Sequence, residues 1–341
     1  MRPVTIVDIA KALNLSASTV SRALKSSYKI SEETQQKVKE YAAKHNYKPN
    51  LSAQGLKSKR SRSIGVILGA VPNNFFAEVI NGIESVAVNN NYNIFITQSH
   101  ESYEKEFKNL EQLLWKSVDG LLVSLSCETT DVSHFKNAQF EGTPIVFFDR
   151  VTDLINTHIV VADNIQGAYD ATSHLIETGC TRIAHITSAA NLSITQERLA
   201  GYKMALKECN FSDVEKYIKY CNHGGMLPEE VNKALNELLA LNEKPDAIIA
   251  ASDRITIECF ASLKEKGILI PQEIALTGFS NFSAPQLFNP ALTTIKQPAF
   301  EIGKVATELL LQLIESKRPG KDFERRVLPT ELNIRESTLK K

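Results

Sequence analysis

The sequence holds no CxxC pair, and its five cysteines, Cys127, Cys180, Cys209, Cys221 and Cys259, are scattered and odd in number. That spacing excludes a disulfide framework or a thiolate metal site as the organising feature and predicts reduced, mostly buried thiols. Histidine is as poor in pattern: His45, His100, His134, His158, His174, His185 and His223 each stand alone, with no metal-ligand spacing. No GxGxxG and no GxSxG occurs, and Gly303–Lys304 and Gly320–Lys321 lack the upstream glycine of a phosphate-cradling loop. The sequence therefore predicts no catalytic residues, no cofactor and no bound metal. Long apolar runs are missing too. The stretch Ile64–Val71 at the start of the large region is far short of a membrane span. Asp8 stands where a secretory signal would need apolar residues, so the expectation is a cytoplasmic protein with no membrane partner.

Net charge is absent overall, with 39 basic and 39 acidic residues, yet it is unevenly placed. Residues 1–62 hold 13 Lys and Arg against 4 Asp and Glu, a surplus of +9, and the remaining chain balances it at −9. A small basic head on an acidic body is the electrostatic footprint of a polyanion-binding module. The length of 341 residues predicts two or three domains, and 43% hydrophobic residues are enough for sizeable cores.

The head reads as short helices. Thr5 precedes the helically spaced Ile6, Ile9, Ala10 and Leu13, with Asp8 in the capping-box position. Asn14 tolerates the left-handed conformation that ends a helix. Ser16 then caps a second run whose inner face is Val20, Ala23 and Leu24, leaving Ser18, Thr19, Ser21 and Arg22 outward. Two short helices joined by a tight turn form a helix-turn-helix, whose second helix enters the major groove of DNA. Ser31 is the expected cap of a third helix, "EETQQKVKEYAAKHN", stopped by "YKPN".

The stretch "VTIVDIAKALNLSASTVSRAL" followed by "KISEETQQKVKEYAAKHNYKPN" resembles the start of the lactose-repressor (LacI/GalR) family, although Asn14–Leu15 replaces the family's frequent Gly–Val. The resemblance implies that Ala17, Ser18 and Arg22 read bases and that Thr5, Ser16, Thr19, Ser21 and Asn50 grip phosphates. It implies a helix-turn-helix domain over 1–49 and a hinge helix over 50–62, with Leu56 wedged into the minor groove. Gly55 weakens that hinge helix in isolation, so its order depends on DNA and on the partner subunit.

From residue 63 onward, β-rich runs alternate with amphipathic ones: "SIGVILG", "YNIFITQ", "DGLLVSL" and "TPIVFFD", then "RIAHITS", "YIKYCNH", "DAIIAAS" and "IALTGFS". Two such sets predict two α/β lobes, each a parallel sheet wrapped by helices. They resemble the periplasmic sugar-binding-protein fold that the repressor family shares. The expected first lobe is 63–162 plus 292–322, and the second 163–291 plus 323–341.

Ligands of such sheets lie beyond the carboxyl ends of the strands. Those ends supply the candidate effector residues Phe75, Phe76, Asp149, Arg150, His223, Asp253 and Ser280, and the resemblance adds Arg198. Ser280 and Ser252 stand where many relatives carry Asp and Asn, so the cleft is expected to bind through hydroxyls and amides more than carboxylates. The resemblance implies a homodimer on a pseudo-palindromic operator, with a sugar or sugar derivative as effector. "RRVLPTELNIRES" reads as a last strand and tail without leucine heptads. Two other classes stay open at this point: a solute-binding transport component, which has no use for residues 1–62, and a sugar-processing enzyme, which needs a catalytic constellation.

Overall fold

The amino-terminal unit starts with a reciprocal cap. In α1 (Ile6–Ala12) the Thr5 hydroxyl accepts from the Asp8 amide at 3.3 Å, and the Asp8 carboxylate accepts from the Thr5 amide at 2.9 Å. Asn14 takes a positive φ of 53°, and the Leu15 amide reaches back to the Ala10 carbonyl at 2.9 Å, closing the helix end. The Ser16 hydroxyl accepts from the Thr19 amide at 3.0 Å to open α2 (Ala17–Leu24). α3 (Glu32–Lys44) departs from expectation. Ser31 stands at its N-cap but bonds the Thr34 hydroxyl at 2.9 Å instead of a backbone amide, the nearer hydroxyl competing for it. Ile9, Ala10, Val20, Ala23, Val38 and Ala42 form the buried centre of this unit, with Leu13, Leu15, Ile30 and Tyr41 around it. The alanines let three short helices approach closely enough to exclude water from so few side chains.

The computed structural model describes residues 4–47, 60–316 and 322–340, and the chain divides into units Met1–Ser61 and Arg62–Lys341. Asn50 and Leu56, with most of the expected hinge, lie outside the described residues.

The second unit contains β1 (Ser63–Leu68), β2 (Asn93–Gln98), β3 (Gly120–Val123), β4 (Ile145–Phe148), β5 (Ile159–Ala162), β6 (Ile183–Thr187), β7 (Ile218–Tyr220), β8 (Ala247–Ala250), β9 (Ala275–Phe279), β10 (Thr293–Lys296), β11 (Arg325–Leu328) and β12 (Glu331–Asn333). Its longer helices are α4 (Asn74–Asn89), α5 (Tyr103–Trp115), α6 (Ser133–Phe140), α7 (Asn164–Glu177), α8 (Ser193–Glu208), α9 (Pro228–Leu239), α10 (Asp253–Glu265) and α11 (Ala299–Glu315). The strands make two six-stranded sheets, ordered β11-β5-β4-β3-β1-β2 and β12-β10-β9-β8-β6-β7. All pairings are parallel except β10 with β12.

Helices cover both faces of the first sheet, so its inner strands β1, β3, β4 and β5 are buried on both faces, while the edge strands β2 and β11 stay largely exposed or half-buried. Ile64, Val66 and Leu68 pack with α4 and α11, while Ile67, Leu121 and Val123 pack with α5 and α6. This is why the strands read as continuous apolar runs and not as alternating ones. Each fully buried Ile, Leu or Phe contributes about 1.5–3 kcal/mol relative to exposure.

Two of the expected lobe boundaries are corrected. β10 pairs with β9, Thr294 opposite Gly278, so the chain stays in the second lobe through Lys296 and does not leave it at 291. β11 pairs with β5, Arg326 opposite Val160, so residues 325–328 lie in the first lobe and the last crossing follows Leu328, not residue 322. Each strand is placed by the unpaired amide and carbonyl row of a sheet edge, and no local pattern announces where that edge lies. "RRVLPTELNIRES" is likewise two strands in two sheets, parted at Pro329–Thr330.

Among the described residues no helix is long and apolar enough to cross a membrane, and no cluster of three His, Cys, Asp or Glu could hold a metal ion.

Candidate functional site

On the head, Ala17, Ser18 and Arg22 are exposed on α2, as base-reading residues must be. The Ser16 hydroxyl lies 2.8 Å from both the Ser18 and Thr19 hydroxyls, a polar cluster at the start of the helix. Ser21 is half-buried, and the hydroxyl of Thr5 is engaged by Asp8 at 2.7 Å. The end of α2 that would meet an anion thus carries small hydroxyls and amides, which donate to phosphate oxygens at short range.

In the large unit, the carboxyl ends of both sheets face one another. Asp149 ends β4 with a φ of 59°, a conformation that Asp tolerates and that turns the chain sharply. Its carboxylate is buried, 3.4 Å from the Ser124 hydroxyl, and its nearest cation is Arg150 Nε at 4.0 Å. Burial raises the Asp149 carboxyl above its ordinary value, against the pull of Arg150 and Arg198.

Arg198 rises from α8 in the opposite lobe. Nε donates to Asn164 Oδ1 at 2.8 Å and Nη1 to the Ala251 carbonyl at 2.5 Å, while the guanidinium sits 3.9 Å over the Phe279 ring. Among the described residues no carboxylate forms an ion pair with it, and burial lowers its pKa to about 10. A cation and an anion thus oppose each other across the cleft without touching.

Asp253 heads α10, and the Ser280 hydroxyl donates to it at 2.5 Å. Burial raises this carboxyl too, against the hydrogen bond from Ser280 and one from the Asn74 backbone of the first lobe.

Other polar contacts join the lobes. Asn281 Nδ2 donates to Glu78 at 2.8 Å, Arg254 to the Pro72 carbonyl at 3.2 Å, Asn191 to the Cys127 carbonyl at 3.0 Å, and the Val151 amide to the Ser193 hydroxyl at 3.1 Å. Of the expected residues, Asp149, Arg150, Asp253 and Ser280 are buried at or just after strand ends, and Arg198 is buried on α8.

Phe75 and Phe76 are also buried, but their rings belong to the apolar cluster of the first lobe. The His223 imidazole is about half exposed and bonds Glu230 at 2.8 Å; that acid, seven residues on, holds both the ring and the His223 amide.

Sequence reasoning missed four members. Glu101 ion-pairs Arg150 at 2.5 Å, and Asn164 orients Arg198. The hydroxyls of Ser188 and Thr195 are each 1% exposed with no hydrogen-bond partner. Only Ser188 carried a signal, as the last residue of "RIAHITS"; the other three sit in loops or helix turns that nothing local marks.

His185, next to this cluster on β6, is fully buried with neither ring nitrogen bonded, and burial together with Arg198 lowers its pKa to about 3. The unfolded chain protonates this ring near its ordinary value of 6.5, so stability falls as pH drops from there toward 3. The slope from this one group reaches about 1.4 kcal/mol per pH unit. His185→Leu should flatten the loss of urea-unfolding free energy between pH 5.5 and 4.5 by about that amount. An unchanged slope would mean the ring is hydrated in the folded protein.

Comparison with known proteins places these features in one lineage. The pattern of bacterial regulatory proteins of the lacI family matches residues 5–50, and that of the periplasmic binding protein-like domain matches residues 172–338. The HTH-type transcriptional repressor PurR of Aliivibrio salmonicida is 32% identical over 95% of this chain and 95% of its own length. The ribose operon repressor of Haemophilus influenzae is 33% identical over 98% of each. Among solved structures, a transcriptional regulator CelR–cellobiose complex covers 98% of this chain and 100% of its own at 26% identity, with a TM-score of 0.72. The lac repressor dimer bound to operator and the anti-inducer ONPF shares the fold, with a TM-score of 0.82 at 24% identity over 99% and 100% of the two chains.

Proposed function

The chain belongs to the lacI family of bacterial regulatory proteins, and from that premise we propose that it is a homodimeric repressor released from or recruited to its operator by a small sugar-like molecule held between the lobes. It is a DNA-binding transcriptional regulator, and its relatives are repressors, not enzymes. The observation that carries the effector reading is the buried pair Asp149 and Arg198, opposed across the cleft without contact, beside the unpartnered hydroxyls of Ser188 and Thr195. A polyhydroxyl compound offers donors to the carboxylate and acceptors to the guanidinium, and satisfies the hydroxyls in one placement.

The similarity to a ribose operon repressor and to a regulator in complex with cellobiose supports a sugar. Two heads on a two-fold axis then read half-sites of a pseudo-palindromic cytoplasmic operator. Ala17, Ser18 and Arg22 meet base edges, and Thr5, Ser16, Thr19, Ser21 and Asn50 hold phosphates. Residues 50–62 serve as the hinge, with Leu56 opening a base step. Effector closing the lobes alters the hinge spacing, and by linkage DNA alters effector affinity by the same factor.

The test is selection of random duplex DNA on the purified protein, with and without a panel of neutral sugars, sugar acids and sugar phosphates. An enriched palindrome whose recovery one compound changes is the expected outcome. Absence of any enriched sequence at moderate salt would reject specific regulation. On that palindrome Leu56→Ala should weaken binding about tenfold or more, the loss of one unstacking wedge. Effector affinity should stay the same, and an unaltered operator affinity would remove the wedge.

A further inference from the structure

The loop after β2 carries an acid that the effector reading does not use. His100 and Glu101 are consecutive residues with positive φ, 48° and 63°, a conformation most side chains avoid. The turn drives the Glu101 carboxylate inside, to 6% exposure. Oε2 accepts from the Cys127 amide at 3.0 Å and from Arg150 Nη1 at 2.5 Å. Oε1 lies over Gly69, where a β-carbon would stand only 2.5 Å away, so this carboxylate has its place because residue 69 has no side chain.

Arg150 continues toward the other lobe. Its Nη2 comes within 3.7 Å of where a β-carbon on Gly224 would sit, and Cys127 Sγ and Ser188 Oγ come within 3.5 and 3.8 Å of the same point. Neither Ser188 Oγ nor Arg150 Nε has a hydrogen-bond partner. Arg150 is therefore a cleft residue with one edge committed to Glu101 and donors left over.

We propose that Glu101 sets the charge of the effector: by occupying one edge of the Arg150 guanidinium it makes the cleft accept an uncharged polyhydroxyl compound and refuse the corresponding acid. This rests on the reading of the cleft as the effector site. An unpaired buried guanidinium captures carboxylate or phosphate bidentately. With Glu101 in place, an incoming anion meets a like charge in a poorly screened interior, while neutral oxygens still find the remaining N–H groups. Of the other charged groups there, Asp149 stands 4.0 Å from Arg150 Nε, Asp253 is held by the Ser280 hydroxyl, and Arg198 and Arg254 donate to the Ala251 and Pro72 carbonyls, so it is the charge of Arg150 that carboxylates offset.

The test compares wild type and Glu101→Gln in calorimetric titrations with aldoses and with their aldonates and sugar phosphates. Wild type should prefer the neutral member of the responding pair at least tenfold. In Glu101→Gln that ratio should fall tenfold or more, whereas simple damage to the lobe would weaken both members alike and leave the ratio unchanged. An unchanged ratio with neutral binding intact overturns the role of Glu101 alone. Failure of every compound to bind wild type overturns the cleft reading and the proposal with it.

A second readout needs no knowledge of the effector. Inorganic phosphate, against chloride at matched ionic strength, should raise the Tm of Glu101→Gln by a few degrees and leave wild type and the double variant Glu101→Gln with Arg150→Gln unmoved. Equal shifts in all three would reject the proposal. If Glu101→Gln does not fold, Gly69→Ala displaces the same carboxylate, and the same ratio and the same phosphate shift are expected from it.

Discussion

Arg198→Ala is expected to raise the effector concentration needed to change operator binding by about a hundredfold, with operator binding itself retained. The side chain is 2% exposed and ties together three elements of the second lobe: Asn164 of α7, the Ala251 carbonyl after β8, and the face of Phe279 on β9. Loss of a buried charged hydrogen-bonding partner to a ligand costs about 2–5 kcal/mol, and each 1.4 kcal/mol is tenfold in affinity. The lower half of that range already gives the hundredfold shift. Removal also leaves the Asn164 amide oxygen and the Ala251 carbonyl short of a donor, so Tm should fall by a few degrees. Operator release measured by fluorescence anisotropy against effector concentration reads the effect. A dose response with the wild-type midpoint would remove Arg198 from the site.

Arg22→Ala is expected to cost the selected operator about 5- to 150-fold in affinity per half-site, the value of one bidentate base contact at about 1–3 kcal/mol. Random duplex should lose much less. Arg22 is exposed on α2 while Val20 and Ala23 beside it are buried, so the head should fold unchanged. Anisotropy titrations of the operator and of a scrambled duplex, at several salt concentrations, separate the two kinds of contact. If Arg22 reads a base, the ratio of the two affinities collapses. If it grips only phosphate, both affinities fall together and the salt slope drops by about one. Unchanged discrimination would take Arg22 out of the base-reading set.

The division between what the chain announces and what folding adds follows the range of the interactions involved. The head was readable because its determinants are local. Thr5 with Asp8, Asn14 with its positive φ, and the Val20–Ala23–Leu24 spacing all act within one or two helical turns. Six of the eight principal strands were readable because helices cover both faces of each sheet, so burial writes itself as short apolar runs; β2 and β7, at the sheet edges, are only partly buried. Thr293–Lys296 has no such run, and its lobe was misassigned because its partner is an edge of another strand, not anything in its own residues.

The cleft divides in the same way. Asp149, Asp253 and Ser280 could be named from their places at strand ends, and so could His223, whose ring Glu230 holds about half exposed. Glu101 could not be named at all. In sequence it is one acid in a polar loop, and it becomes a determinant only when Gly69, Cys127 and Arg150 are brought around it from three separate strand ends. By itself the sequence determined the kind of protein, since capping, periodicity and charge placement act over a few residues. Only the tertiary structure decided which charges gather at the cleft, because that gathering joins groups that the chain keeps tens of residues apart.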